Sequence, residues 1–403
     1  MDTIAVPAHA PPRSALARYM AAATLARGAD AGAAVGLVLL ATTAARLDRP
    51  GLVGGLLVAA LTGPHLLGPV LARQLDRARD GRTLLAAITA TYGAAIGAAT
   101  LLFGTVPIGV SVLLVILAGL CGPILTGGLS SRLASLVAAD DRAQRRAQGW
   151  DALSYGVGGT AGPAAIAALS GVFGARAALI VLAGCAIVAA ALIHTLPPND
   201  SHAIPADDVL SVRRTLRLIA TIGPLRRVMY ATMVASLPAG AIAVMAVALG
   251  HDLRISAQSA ALLAAAFGFG NLAGSLLMTV RPLLGEPERL VSASMAAIGL
   301  GYLACSAAPT YGLALAGFGL VGVLNAPMFT ATLAARATYS PPEARAQVFV
   351  SMAALKVAAS AVGTAAAGAA LGLGPRVLLA IGASAILATA AATVLDRRFN
   401  ARR

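Results

Sequence analysis

The sequence predicts an all-α integral membrane protein of twelve transmembrane helices, arranged as two six-helix bundles related by pseudo-two-fold symmetry along the membrane normal. Three observations carry that expectation. Of the 403 residues, 58% are hydrophobic and 11% charged, with a mean hydropathy of +0.83; a soluble domain carries ~25% charged residues. The apolar runs are rich in Ala, Gly and Leu and last about 20 residues, enough to cross a ~30 Å hydrocarbon core, where a barrel strand would alternate over ~10. The third observation is an internal repeat. GPILTGGLSSR (122–132) aligns with APMFTATLAAR (326–336), sharing Pro123/Pro327, Thr126/Thr330, Leu129/Leu333 and Arg132/Arg336; RAQGW (146–150) aligns with RAQVF (345–349), and FGAR (173–176) with LGPR (373–376). A same-sense repeat of six helices implies two bundles about an axis normal to the membrane.

Taken in order, residues 1–16, with Pro7, Pro11 and Pro12, read as a tail. The N-terminal six-helix bundle is expected over 17–196: span 1 over about 17–45, a tight LDRPG loop, span 2 over 52–72, and a basic loop RQLDRARDGR (73–82). Span 3 follows over 83–103 and span 4 over 107–133, then a second basic loop DDRAQRRAQG (140–149), and spans 5 (150–171) and 6 (177–196) across the turn FGAR. Residues 197–226, polar and Pro-containing, read as a linker with an amphipathic surface helix near 209–220. The C-terminal bundle, 227–396, holds spans 7 to 12 at about 228–249, 257–280, 289–308, 311–335, 347–371 and 376–395, and 397–403 is a basic tail.

The net charge of +14 would suggest nucleic acid in a soluble chain. Placed on these spans it sets orientation instead. With the N-terminus inside, 23 basic residues fall on the cytoplasmic side and 5 outside, which puts both termini in the cytoplasm and the chain in the plasma (inner) membrane. The cysteines, Cys121, Cys185 and Cys305, lie in apolar spans with no CxxC pair and read as small buried hydrophobes.

Arg27 and Lys356 are the two basic residues left at membrane depth, and Asp30 is the one deep acid, with Asp151 at the cytoplasmic end of span 5. A charge at the bilayer centre costs ~2.5–3.5 kcal/mol on insertion scales, so such residues face a bundle interior or wet cavity. Arg27 and Asp30, three residues apart, share a helical face and are expected either to pair permanently or to leave Asp30 free to carry a proton. Lys356 shares a face with Met352, Ser360 and Gly363; it is a candidate to engage an anionic group of a substrate, to pair with Asp30, or to alternate between them. Asn325, beside Pro327, and Asn271 are weaker cavity-lining candidates, or interhelical glue. His65 in span 2 reads as a packed or cavity-edge histidine.

Two motifs resemble the major facilitator superfamily, and the resemblance covers nearly the whole chain. In GPVLARQLDRARDGRTLL (68–85), Asp76, Arg77, Gly81 and Arg82 match the later part of the superfamily's Gly-x-x-x-Asp-Arg-x-Gly-Arg-Arg loop, with two extra residues in the gap and Ala72 in place of the first Gly. The resemblance implies a cytoplasmic latch between the halves, its Asp near the N-terminus of helix 11, where an anion is favoured by ~0.3–1 kcal/mol. In span 5, Gly149, Gly158, Gly162 and Pro163 match the spacing of the antiporter motif, although Ile166 and Ala167 replace its closing glycine pair. Small residues at this spacing also serve ordinary helix packing.

No GxxxxGK[ST] loop for a nucleotide and no HExxH or comparable metal cluster is present. The expectation is a transporter and not an enzyme, without cofactor or nucleic-acid partner, energised by the proton gradient. It is expected to be a monomer that exports a small amphipathic compound such as a drug, siderophore or secondary metabolite by alternating access. The alternatives are an importer or facilitator of a small metabolite, and a non-transporting lipid-handling or signalling protein. Aromatic residues at 4%, with Trp150 the sole Trp, disfavour a sugar site.

Overall fold

The computed structural model describes residues 13–43, 50–78, 80–138, 140–198 and 209–400, and among these the only β feature is an isolated bridge between Phe103 and Val106. The helices are α1 (Arg13–Thr42), α2 (Pro50–Thr62), α3 (Gly68–Arg77), α4 (Gly81–Leu102), α5 (Ile108–Pro123), α6 (Leu129–Ser131), α7 (Asp141–His194) and α8 (Val212–Thr221) in the first part of the chain. They are followed by α9 (Gly223–Gly240), α10 (Ile242–Asp252), α11 (Ala257–Val280), α12 (Pro287–Ala307), α13 (Tyr311–Tyr339), α14 (Arg345–Ala369) and α15 (Pro375–Asn400). Among the described residues, ten stretches are long and apolar enough to cross a membrane, or eleven when α9 and α10, bent by 44° after Pro238, count as one.

Local chemistry explains the breaks. Proline has no N–H to donate and crowds the preceding turn. Pro64 therefore sits in a 3₁₀ turn, Gly63–Leu67, between α2 and α3, and a π turn, Ile124–Gly128, follows Pro123 at the end of α5. The expected loop 73–82 is helical as far as Arg77, and the expected loop 140–149 is the start of α7, capped by Asp140 on the Ala143 N–H (2.8 Å). Residues 73–77 and 140–148 contain neither Gly nor Pro, and a basic helix end snorkels as well as a loop does.

As a straight rod the 54 residues of α7 would run about 80 Å. Gly174, at φ 83° and ψ 157°, interrupts it in a conformation that only glycine adopts readily. Before the break α7 runs parallel to α1: Gly158 lies on Arg27 and Gly28, Gly162 on Gly28 and Gly32, and Ile166 on Gly36. After it the chain returns, with Leu179 on Gly36 and the Thr195 carbonyl accepting from Arg18 (2.5 Å). The turn expected at FGAR is thus this reversal.

Two apolar cores form, one wholly from residues 26–189 and one wholly from 219–390. A third cluster bridges them, packing Tyr19, Leu75, Ile124 and Leu129 against Ala346 and Val350. Cys121 and Cys305 are buried in the cores and Cys185 is half-buried. The amphipathic helix expected near 209–220 is α8, whose Thr215 packs beside Gln347 (3.2 Å).

Candidate functional site: a buried charge cluster between the two halves

Close backbone approach creates the site. A Cβ on Gly158 would stand 2.9 Å from Arg27 Cβ, and one on Gly162 would overlap the Gly28 carbonyl. Only glycine lets α7 lie this near α1, and that proximity delivers Arg27 to α7. Arg27, 3% exposed, donates to Asp151 Oδ1 (2.8 Å), to Ser130 Oγ (2.9 Å) and to Ser154 Oγ. Asp151, 1% exposed, also accepts from the Tyr19 hydroxyl (2.5 Å) and, on its other oxygen, from Ser130 (2.7 Å). Both partners are thus desolvated, and of the Arg27 nitrogens only Nε lacks an acceptor.

This corrects the expected Arg27–Asp30 pair. Arg27 turns to α7 because the carboxylate there lies on the glycine-lined contact. Asp151 is also a second deep acid. Its place at a span end suggested solvent, but the basic start of α7 is helix, which carries Asp151 inward. Asp30, half-buried, faces the other way, toward Gly122: a Cβ there would lie 3.2 Å from Asp30 Oδ1 and 2.5 Å from His65 Nε2. His65 is 5% exposed and its Nδ1 has no partner, while Tyr92 donates to the neighbouring Ala29 carbonyl (3.3 Å).

Across the junction, the ring of Tyr155 carries the Arg27 guanidinium on its face (3.5 Å to the centroid) and meets the Phe329 edge at 4.9 Å and 86°. Lys356 Nζ lies 4.0 Å from the Phe329 centroid and 5.9 Å from that of Tyr155. Among the described residues it forms no ion pair, so the expected pairing with Asp30 is absent here; its ammonium lies on the Phe329 ring of α13 instead. Asn325 donates to Asn271 (2.9 Å), tying α13 to α11. Arg336, expected in a loop, is 1% exposed within α13, and its Nε and Nη2 have no acceptor.

At the end that carries the basic segments, the halves are latched. Asp76 accepts from the first backbone N–H groups of α14, Ala346 (2.8 Å) and Gln347 (3.1 Å), donors that have no partner within the helix. Arg73 and Gln347 both donate to the Leu210 carbonyl before α8. Gly68 packs on Val350, Gly127 on the Phe349 carbonyl and Gly149 on the Met278 carbonyl, while Arg146 donates to Thr279 O (3.1 Å). Gly81 is buried against Leu75, and Arg77 holds a buried Nε without acceptor. Arg82 binds Asp80 (2.6 Å) and the Leu196 carbonyl (2.9 Å); burial would raise the Asp80 carboxyl, yet the Arg82 N–H and guanidinium hold it below the ordinary carboxylate range. Toward the opposite end the contacts thin: Gly159 and Gly171 of α7 and Gly268 of α11 meet open space. Pro163, half-buried, lies within α7 between the Gly162 and Ile166 contacts with α1.

No family model and no curated protein matches the chain. Solved structures do. The human organic anion transporter MFSD10 (TETRAN) superposes with a TM-score of 0.76 at 14% identity, over 94% of this chain and 99% of that one. A bacterial homologue of the iron transporter ferroportin, in an outward-facing state, gives 0.72 at 16% identity, over 95% and 99%. FucP, a major facilitator superfamily transporter in the outward conformation, gives 0.69 at 13%, over 94% and 98%.

The chain has the major facilitator superfamily fold.

In the segment 68–85, Asp76 lies on the α14 N-terminus despite the two-residue insertion. Sequence reasoning missed Arg336, Tyr155 and Phe329. The Arg132/Arg336 match inside the repeat was a usable signal, since a basic residue repeated in two apolar spans is unlike a loop marker.

Proposed function

We propose that the chain is a secondary transporter, not an enzyme, that exports a small amphipathic compound by alternating access and draws on the proton gradient. The observation that carries this reading is that the two cores are joined at the basic end, by Asp76 on α14 and by the start of α7 on the end of α11, over a buried charged cluster. Halves joined at one end can rock about a central site, the motion such transporters use. Twelve crossings in bundles 17–196 and 227–396, linked by 197–226, follow when α7 is taken as two spans. The basic end is cytoplasmic by the charge count, with both termini there and the membrane the plasma membrane. The geometry is then outward-facing, as in the FucP and ferroportin-homologue structures.

Asp30 is the proton carrier in this scheme. It is free of Arg27, half-buried and close to His65, so it can exchange a proton as the cavity changes sides. The organic anion and iron transporters among similar folds carry unlike cargo and do not choose a substrate class. The test is proton flux in proteoliposomes holding pyranine, challenged with amphipathic anions, cations and neutral compounds. Compound-dependent proton movement that Asp30→Asn abolishes supports the reading; flux that Asp30→Asn leaves coupled removes Asp30 from the scheme. Absence of flux with every compound overturns transport.

A further inference from the structure

The cluster between the halves is unbalanced. Around Tyr155 and Phe329 stand three cations, Arg27, Arg336 and Lys356, and one carboxylate, Asp151. Asp151 is spent: one oxygen takes Arg27 and Tyr19, the other Ser130. Lys356 has only the faces of two rings, and Arg336, 1% exposed, has two N–H-bearing nitrogens without an acceptor. An unpaired buried charge is costly, and a buried donor without acceptor forfeits the hydrogen bonds it had in water.

The repeat sharpens the contrast. Arg132, the counterpart of Arg336, is also buried but donates to the Pro197 carbonyl (3.1 Å). Arg132 leaves only its Nε without a partner, whereas Arg336 leaves both Nε and Nη2 without an acceptor. Two cations without an acceptor thus stand beside two aromatic rings set edge to face, so donors and apolar ring surface come together in one place.

We propose that Lys356 and Arg336 hold the anionic group of the cargo, with Tyr155 and Phe329 against its apolar body. The substrate class is an amphipathic organic anion: a carboxylate, sulfonate or phosphate monoester on an aromatic or similarly flat frame. Arg27 is the positioning residue. Locked to Asp151, it fixes the Tyr155 ring by its face and is not available to the ligand. Planar guanidinium forks suit two-oxygen anions, and the ammonium of Lys356, half-buried, meets the anion first and releases the Phe329 face to the ligand's ring.

This inference rests on the transport reading, and the experiment separates the two. Trp150, the sole tryptophan, adjoins Asp151, so its emission reports a quencher bound at Tyr155. The probes are 4-nitrobenzoate, its neutral isostere 4-nitrobenzamide, and (4-nitrobenzyl)trimethylammonium, titrated against the purified full chain and then used in the proteoliposome assay. The expected result is saturable quenching by the benzoate at least tenfold tighter than by the amide, and none by the cation. Lys356→Gln and Arg336→Gln each weaken it tenfold or more, Lys356→Arg restores most of it, and the remote Arg289→Gln leaves it unchanged. Should Arg336→Gln fail to give a monodisperse protein, Lys356→Gln decides alone. Equal binding of all three probes, preference for the amide or the cation, or an unaltered Lys356→Gln overturns the anion site. Flux of the amide or cation without benzoate binding does so while leaving transport standing. Benzoate binding without flux of any probe keeps the anion site and overturns transport.

Discussion

Replacing Asp151 with Asn tests whether the Arg27–Asp151 pair is the keystone of the first bundle. Both side chains are 2% exposed and the pair is 2.8 Å apart. The substitution removes the countercharge of Arg27 and weakens acceptance from Tyr19 and Ser130. Breaking a buried pair by removing one partner costs about 3–5 kcal/mol, because the remaining charge stays buried. The value here is expected at the lower end, since Ser130 and Ser154 still accept from Arg27 and an amide keeps some acceptor capacity. The double variant Arg27→Gln/Asp151→Asn removes both charges, so it should cost less than the sum of the singles, with a coupling of about 2 kcal/mol within the range seen for contacting groups. Trp150 emission followed through denaturant unfolding in mixed micelles gives all three values. A cost below about 1 kcal/mol for Asp151→Asn, or strict additivity in the double variant, would refute the claim that the pair is desolvated and mutually dependent.

Other expectations follow from the same geometry. Asp76→Asn forfeits the charge on the α14 N-terminus, worth about 0.3–1 kcal/mol, and so loosens the basic end; maleimide labelling of a Ser131→Cys reporter on a cysteine-free background should speed up by about fivefold, and unchanged labelling would show that Asp76 is no latch. Gly162→Ala places a Cβ on the Gly28 carbonyl and should destabilise the chain by about 1–3 kcal/mol, whereas Gly159→Ala, which meets open space, should be neutral; thermal melts of the monodisperse fraction distinguish them. If Asp30 carries the proton, one proton per 100 mV supplies ~2.3 kcal/mol, about 50-fold accumulation of a neutral compound. Asp30→Asn should reduce this to equilibration in the proteoliposome assay, while exchange without a gradient persists.

How much of this was legible in the chain varies by the range of the interaction involved. Span positions, the amphipathic α8 and the reversal near FGAR follow from hydropathy and glycine over windows of a few turns. The Asp76 contact spans 270 residues and was expected only because the 68–85 segment resembles the superfamily's loop. The partner of Arg27 was not legible. Asp30 is three residues away and Asp151 is 124, and helical spacing favours the near one.

By itself, the sequence determined that this is a polytopic helical membrane protein, because apolar length, small-residue packing and charge bias are summed along the chain and need no partner. Only the tertiary structure decided which charges are paired, since that depends on how closely two backbones approach. Gly158 and Gly162 bring α7 onto α1, which turns Arg27 to Asp151 and leaves Asp30 beside His65. The same packing buries Arg336 and Lys356 around Tyr155 and Phe329 without a countercharge. Periodicity places each of these residues on a helix face; the contact between helices determines what that face meets.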